Sequence, residues 1–120
     1  MGLIKNSSSL VGNKSYFFAL EIINLYRYLT IEKKDYILSK QLLRSGTSIG
    51  ANIFEAQNAE SKADFVHKMK IAAKEASETL YWLSICEKMN NFGFQHTLID
   101  ELKQIIAILS KIIISARKNI

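Results

Sequence analysis

Five polar side chains are spaced so that two helices could bring them together: Arg44, Asn52 and Glu55 on one stretch, Glu75 and Glu78 on the next. They form either a polar functional site or a structural ion-pair layer that fixes helix register or subunit contacts, and the structural layer is the favoured reading. Other constellations fall short. A di-metal carboxylate centre in a bundle needs a Glu-x-x-His pair from each of two helices, and this chain offers only Asp64 followed by His67. His96 has no companion ligand, and neither histidine closely follows an arginine, as a helical ribonuclease motif would require. The serines are plentiful, but spacing gives none of them a base. No catalytic, metal or cofactor site is therefore expected, and no small-molecule substrate suggests itself. The remaining signal is basic: Lys40 and Arg44 on one stretch and Lys68, Lys70 and Lys74 on the next are the candidates for contact with nucleic-acid phosphates, weighed against an ordinary solvated face. Tyr81 and Trp82 could stack on bases or serve as core or interface anchors.

The stretch that must position these residues runs from Leu38 to Leu83. In its first arm Leu38, Leu42, Ile49, Ile53 and Ala56 recur at helical spacing beside a polar row of Gln41, Ser45, Ser48, Asn52 and Glu55. In its second arm Phe65, Met69, Ala72, Ala76, Leu83 and Cys86 mark the apolar face, with Glu75, Glu78 and Trp82 on a neighbouring row. Ser61 followed by Asp64 resembles a capping box and starts the second arm. A turn centred there predicts antiparallel partners whose numbers sum to about 121, which sets Arg44 level with Glu75 and Glu78. Gly46 and Gly50 interrupt the first arm, each costing about 1 kcal/mol of helix propensity relative to alanine, so close approach of another helix is expected there.

Residues 1–13 are polar and serine-rich without a period and are expected to form a flexible N-terminal arm, leaving 14–120 as the folded domain. From Ser15, a candidate N-cap, the row Phe18, Ile22, Leu25 and Leu29 predicts a first helix, and Asp35 is placed to cap the second. Asn90 to Gln95, with Gly93, should end the third helix. A fourth helix carries two apolar rows. Leu98, Leu102, Ile105, Leu109 and Ile112 suffice for an inner seam, so Ile99, Ile106 and Ile113 are left over as a candidate subunit interface.

Composition agrees with one helical domain. The 120-residue chain has 48% hydrophobic and 22% charged residues and no proline. Lys and Arg outnumber Asp and Glu by 16 to 11, giving +5 and a pI near 9.4, which permits nucleic-acid contact without establishing it. The single cysteine, Cys86, falls on an apolar helical face, and the N-terminal MGLIKNSSSLVGN lacks the apolar core of a signal peptide, so a reducing, cytoplasmic setting is expected. No segment is apolar enough to predict a membrane span.

The segments LLRSGTSIGANIFEA and SKADFVHKMKIAAKEASETLYWL resemble the bacterial four-helix-bundle family known from proteins encoded in intervening sequences of large-subunit ribosomal RNA. The resemblance rests on Arg44, Ser48-Ile49, Ala51-Asn52-Ile53, Glu55, Phe65, Ile71-Ala72 and Glu78. Gly50 departs from it, since many members carry proline there. Similar proteins include the accessory variability determinant of diversity-generating retroelements, a basic homopentamer that associates with a reverse transcriptase and nucleic acid. The resemblance implies an up-down-up-down four-helix bundle, a ring-like homo-oligomer such as a pentamer, and RNA, DNA or a reverse transcriptase as partners. The expectation is thus a non-enzymatic oligomeric binding protein, with a purely structural scaffold as the alternative.

Overall fold

A computed structural model of the chain describes residues 7–89 and 95–118. Four helices make up the described residues: α1 Ser7–Ile31, α2 Leu38–Ala56, α3 Lys62–Met89 and α4 Gln95–Arg117. Each packs on its neighbours in sequence, α4 closes onto α1, and the diagonal pairs make no comparable contact, which is the square cross-section of a four-helix bundle. The short connections 32–37 and 57–61 make α1, α2 and α3 successively antiparallel. The expected turn around Gly93 lies outside the described residues.

The first helix starts earlier than its apolar row predicts. Val11 is fully buried and extends the stripe Phe18, Ile22, Leu25 one turn beyond Ser15. Ser15 is also buried, and its hydroxyl donates to the Gly12 carbonyl at 3.1 Å instead of capping a helix end. Residues 7–13 thus belong to α1 and not to an arm: a single valine suffices to anchor a turn that a polar composition disguises. The helix ends through Lys34, whose φ of 56° lies in the left-handed region that glycine usually fills. Asp35 then turns back, its Oδ1 accepting from the N–H groups of Ile37 at 3.2 Å and Leu38 at 3.0 Å, and so starts α2.

The α2–α3 turn is closed from both sides. Asp64 N–H donates to the Ser61 hydroxyl at 3.0 Å, and Glu60 N–H donates to the Asp64 carboxylate at 3.2 Å. Two orphan donors are satisfied reciprocally, as in a capping box. Across α1 and α2 the two helical glycines differ. A Cβ on Gly46 would lie 2.9 Å from both γ-carbons of buried Ile22, whereas one on Gly50 would meet Ser15 at 3.4 Å. Close approach therefore explains Gly46, and Gly50 merely borders the same seam.

The inner seam of α4 is Leu98, Leu102, Ile105 and Leu109, all buried. Ile112, expected to complete it, is only half-buried. Ile99, Ile106 and Ile113 are not a surplus exposed row either: all three are half-buried and pack against the bundle's own core. Because α4 is flanked by both α3 and α1, its two adjacent stripes are each partly used within one chain. No helix among the described residues is long and apolar enough to cross a membrane.

Candidate nucleic-acid interface and its polar support

The antiparallel register of α2 and α3 brings Arg44 onto both carboxylates that the sequence sets level with it. Arg44 Nη1 lies 3.4 Å from Glu75 Oε1, and Nη2 donates to Glu78 Oε2. The same Glu78 oxygen accepts the indole N–H of Trp82 at 3.0 Å. Glu78 and Trp82 are four residues apart on one helix, so this bond is a local consequence of α-helical spacing. About half of the Arg44 side chain remains in solvent (53%), against 19% for Glu75 and 36% for Glu78. The cluster is thus a surface network and not a buried ion pair.

The other two members of the expected polar layer do not join it. Asn52 turns along its own helix and donates to the Ser48 carbonyl at 2.8 Å. Glu55 accepts from Lys68 Nζ at 2.9 Å, further toward the turn. That hydrogen bond and the Glu55 charge raise the Lys68 pKa. Ser45, Thr47 and Ser48 likewise bond carbonyls of the preceding turn, so most polar groups on α2 are satisfied within the helix.

Of the five basic candidates, the structure therefore separates two from three. Arg44 and Lys68 are held by carboxylates. Lys40, Lys70 and Lys74 are exposed and make no ion pair among the described residues. Lys70 and Lys74 share the solvent side of α3 with His67, Tyr81 and Lys88, all exposed, and Glu78, four residues after Lys74, borders that side with its carboxylate held by Arg44 and Trp82. The acids of this helix are engaged elsewhere: Asp64 at the α2–α3 turn, Glu75 and Glu78 on Arg44, and Glu87 toward His96, whose Nδ1 lies 3.1 Å from Glu87 Oε2. That last contact lacks hydrogen-bond alignment and is Coulombic only when the imidazole is protonated. Among the described residues no group of three or more His, Cys, Asp or Glu side chains is placed to hold a metal ion. Cys86 is buried, and burial, with the Asp35 charge adding to it, pushes its thiol up to about 11, which keeps it protonated and unreactive at neutral pH.

Two features escape a reading of residue types and spacing. The solvent face of α1 is apolar over its N-terminal part, with Leu10, Phe17 and Leu20 exposed to 51%, 60% and 43% and Tyr16 beside them, before Asn24 and Arg27 make it polar. Its aromatic and aliphatic residues surround the helix so fully that periodicity alone marks no surplus. At the α1–α4 seam, Glu21 hydrogen-bonds Glu101, which requires a shared proton; burial first, then this bond and the Glu101 charge, raise the Glu21 carboxyl to about 7. Nothing in the spacing of either glutamate foretells a partner on a distant helix.

No curated protein matches the chain. A crystal structure from Bacteroides thetaiotaomicron, described as a protein with unknown function from the S23 ribosomal protein family, matches with a TM-score of 0.87 and 44% identity, covering 90% of this chain and 98% of the other. The same bundle, at that identity, extends over nearly the whole of both. Residues 8–115 match the family described as 23S rRNA-intervening sequence protein, a span that includes Arg44, Glu75, Glu78 and the entire α3 row. The chain belongs to the 23S rRNA-intervening sequence protein family.

Proposed function

We propose that this chain is a non-enzymatic, self-assembling protein that binds nucleic acid through the solvent row of α3. The observation that carries the reading is the division of charge on that helix: Lys70, Lys74 and Lys88 are exposed and make no ion pair among the described residues, while Glu75 and Glu78 are paired with Arg44. Lysines left unneutralised can replace counterions along a phosphate backbone. Lys40, one turn before Arg44 on α2, is a further exposed cation without an ion pair among the described residues and supports the same reading. The family's description ties it to intervening sequences of 23S rRNA, so RNA is the partner to test first.

Self-assembly rests on α1. Leu10, Phe17 and Leu20 form an exposed apolar face of a kind that soluble monomers seldom leave open. Repetition of the chain around an assembly, a ring among the possible forms, would multiply its net charge of +5 into a field suited to phosphates. Sedimentation equilibrium together with fluorescence anisotropy of a labelled RNA, titrated with salt, tests both parts. An oligomer whose RNA affinity falls steeply with salt is expected, and Lys70→Ala with Lys74→Ala should flatten that slope. An oligomer indifferent to RNA at low salt would leave a scaffold as the function, and a monomer would remove the role assigned to α1.

A further inference from the structure

The solvent row of α3 contains an aromatic ring among its lysines. In order along the helix it reads His67, Lys70, Lys74, Tyr81 and Lys88, so Tyr81 has cations on both sides. Lys74 and Tyr81 are separated by two turns, about 10 Å of helix rise, and Tyr81 and Lys88 by the same distance. Lys40, on the neighbouring helix, stands level with the ring in the register that pairs Arg44 with Glu78. Tyr81 as a residue is 61% exposed. A solvent-facing lysine row needs no such residue.

Nor is the ring loose. Tyr81 packs edge to face on Trp82, with centroids 5.1 Å apart and planes at 71°. Trp82 is half-buried against the core and is held by its indole N–H on Glu78, which Arg44 holds in turn. Arg44, Glu78 and Trp82 thus form a relay from α2 that reaches Tyr81 through its contact with Trp82, while Tyr81 itself stays mostly in solvent. An aromatic fixed in this way loses little freedom when a flat partner is laid on it. It also gives the Arg44 cluster a role beyond helix register: these are positioning residues for the tyrosine.

We infer that the α3 row binds single-stranded nucleic acid, with a base stacked on Tyr81 while Lys70, Lys74 and Lys88 hold flanking phosphates. The inference rests on the nucleic-acid reading above and specifies its ligand. Base faces are hidden inside a duplex, which would meet Tyr81 only with sugar and phosphate, whereas an unpaired strand presents a base face about as often as it presents a phosphate. Lysines alone would serve either form. The ring among them favours the single strand.

The test compares a labelled single-stranded RNA 12-mer with the duplex of the same sequence, by anisotropy at two salt concentrations. Wild type should prefer the single strand. Tyr81→Ala should weaken single-strand binding about tenfold, the usual effect of losing one stacked base, and leave duplex binding unchanged. Tyr81→Phe should retain wild-type affinity, and Lys74→Ala should lower the single-strand salt slope by about 0.7. Arg44→Met should reproduce part of the Tyr81→Ala loss, and thermal melts confirm that each variant is folded. Equal affinity for single strand and duplex, or a Tyr81→Ala variant that binds as wild type while Lys74→Ala still weakens binding, overturns the stacking inference and leaves the basic row standing. Absence of binding to either RNA overturns both.

Discussion

Replacing Gly46 and Gly50 separately by alanine should have opposite effects, although both lie on the same face of the same helix. Alanine gains about 1 kcal/mol of helix propensity at either position. At Gly50 the new methyl meets Ser15 at 3.4 Å, an ordinary contact, so most of that gain should survive. At Gly46 it would meet two carbons of Ile22 at 2.9 Å, and Ile22 is fully buried with no room to swing aside. Overpacking of this kind costs about 1 to 3 kcal/mol, so the variant should lose about 1 kcal/mol net. The two alanine variants should then differ by about 2 kcal/mol, or roughly 8 °C in melting temperature for a domain of this size. Urea denaturation followed by circular dichroism measures it. The decisive control is Ile22→Ala, which removes both clashing carbons. It destabilises by itself, and in that background Gly46→Ala should become stabilising. A Gly46→Ala variant as stable as Gly50→Ala in the wild-type background would refute the close approach of α1 and α2.

Three further outcomes follow from the geometry. Arg44→Ala should cost about 1 kcal/mol, the value of an exposed charge network and not the roughly 3 kcal/mol of a buried pair, because half of the arginine is in solvent; a urea midpoint shifted by the larger amount would show that the cluster is drier than it looks. Glu21 has its folded pKa raised from 4.5 to about 7, so the folded chain holds a proton that the unfolded chain releases first. Its stabilisation is complete below pH 4.5 and is lost as pH rises through 7, by about 1 kcal/mol after solvent screening; Glu21→Gln should flatten this part of the stability profile, and an unchanged slope between pH 5 and pH 8 would count against the shared proton. Phe17→Glu should lower the mass seen by sedimentation while leaving the melt of the single bundle nearly unchanged, whereas Ile106→Glu, which places a charge against the core, should unfold the chain; the reverse pattern would return the subunit interface to α4.

What the sequence by itself determined is what local spacing can encode. The four helices, the Asp35 cap, the reciprocal Ser61 and Asp64 turn and the pairing of Arg44 with Glu75 and Glu78 all follow from residues within a few turns of one another or joined by one tight turn. A short, well-specified turn leaves little freedom in register, so the two arms of the hairpin could be aligned by counting. Tertiary structure decided the rest, because it depends on which neighbour covers which side of a helix. Val11 is buried by the completed bundle, which turns a polar serine-rich start into helix. Ile99, Ile106 and Ile113 count as surplus only when α4 is given a single seam; with both α1 and α3 against it they are partly covered, and the open apolar face belongs to α1. Asn52 and Glu55 are expected to form one polar layer with Arg44, yet one bonds the Ser48 carbonyl of its own helix and the other Lys68, since each side chain takes the partner within its reach. The Glu21–Glu101 contact exists only where α1 and α4 cross, and periodicity, a property of one helix at a time, carries no record of the crossing.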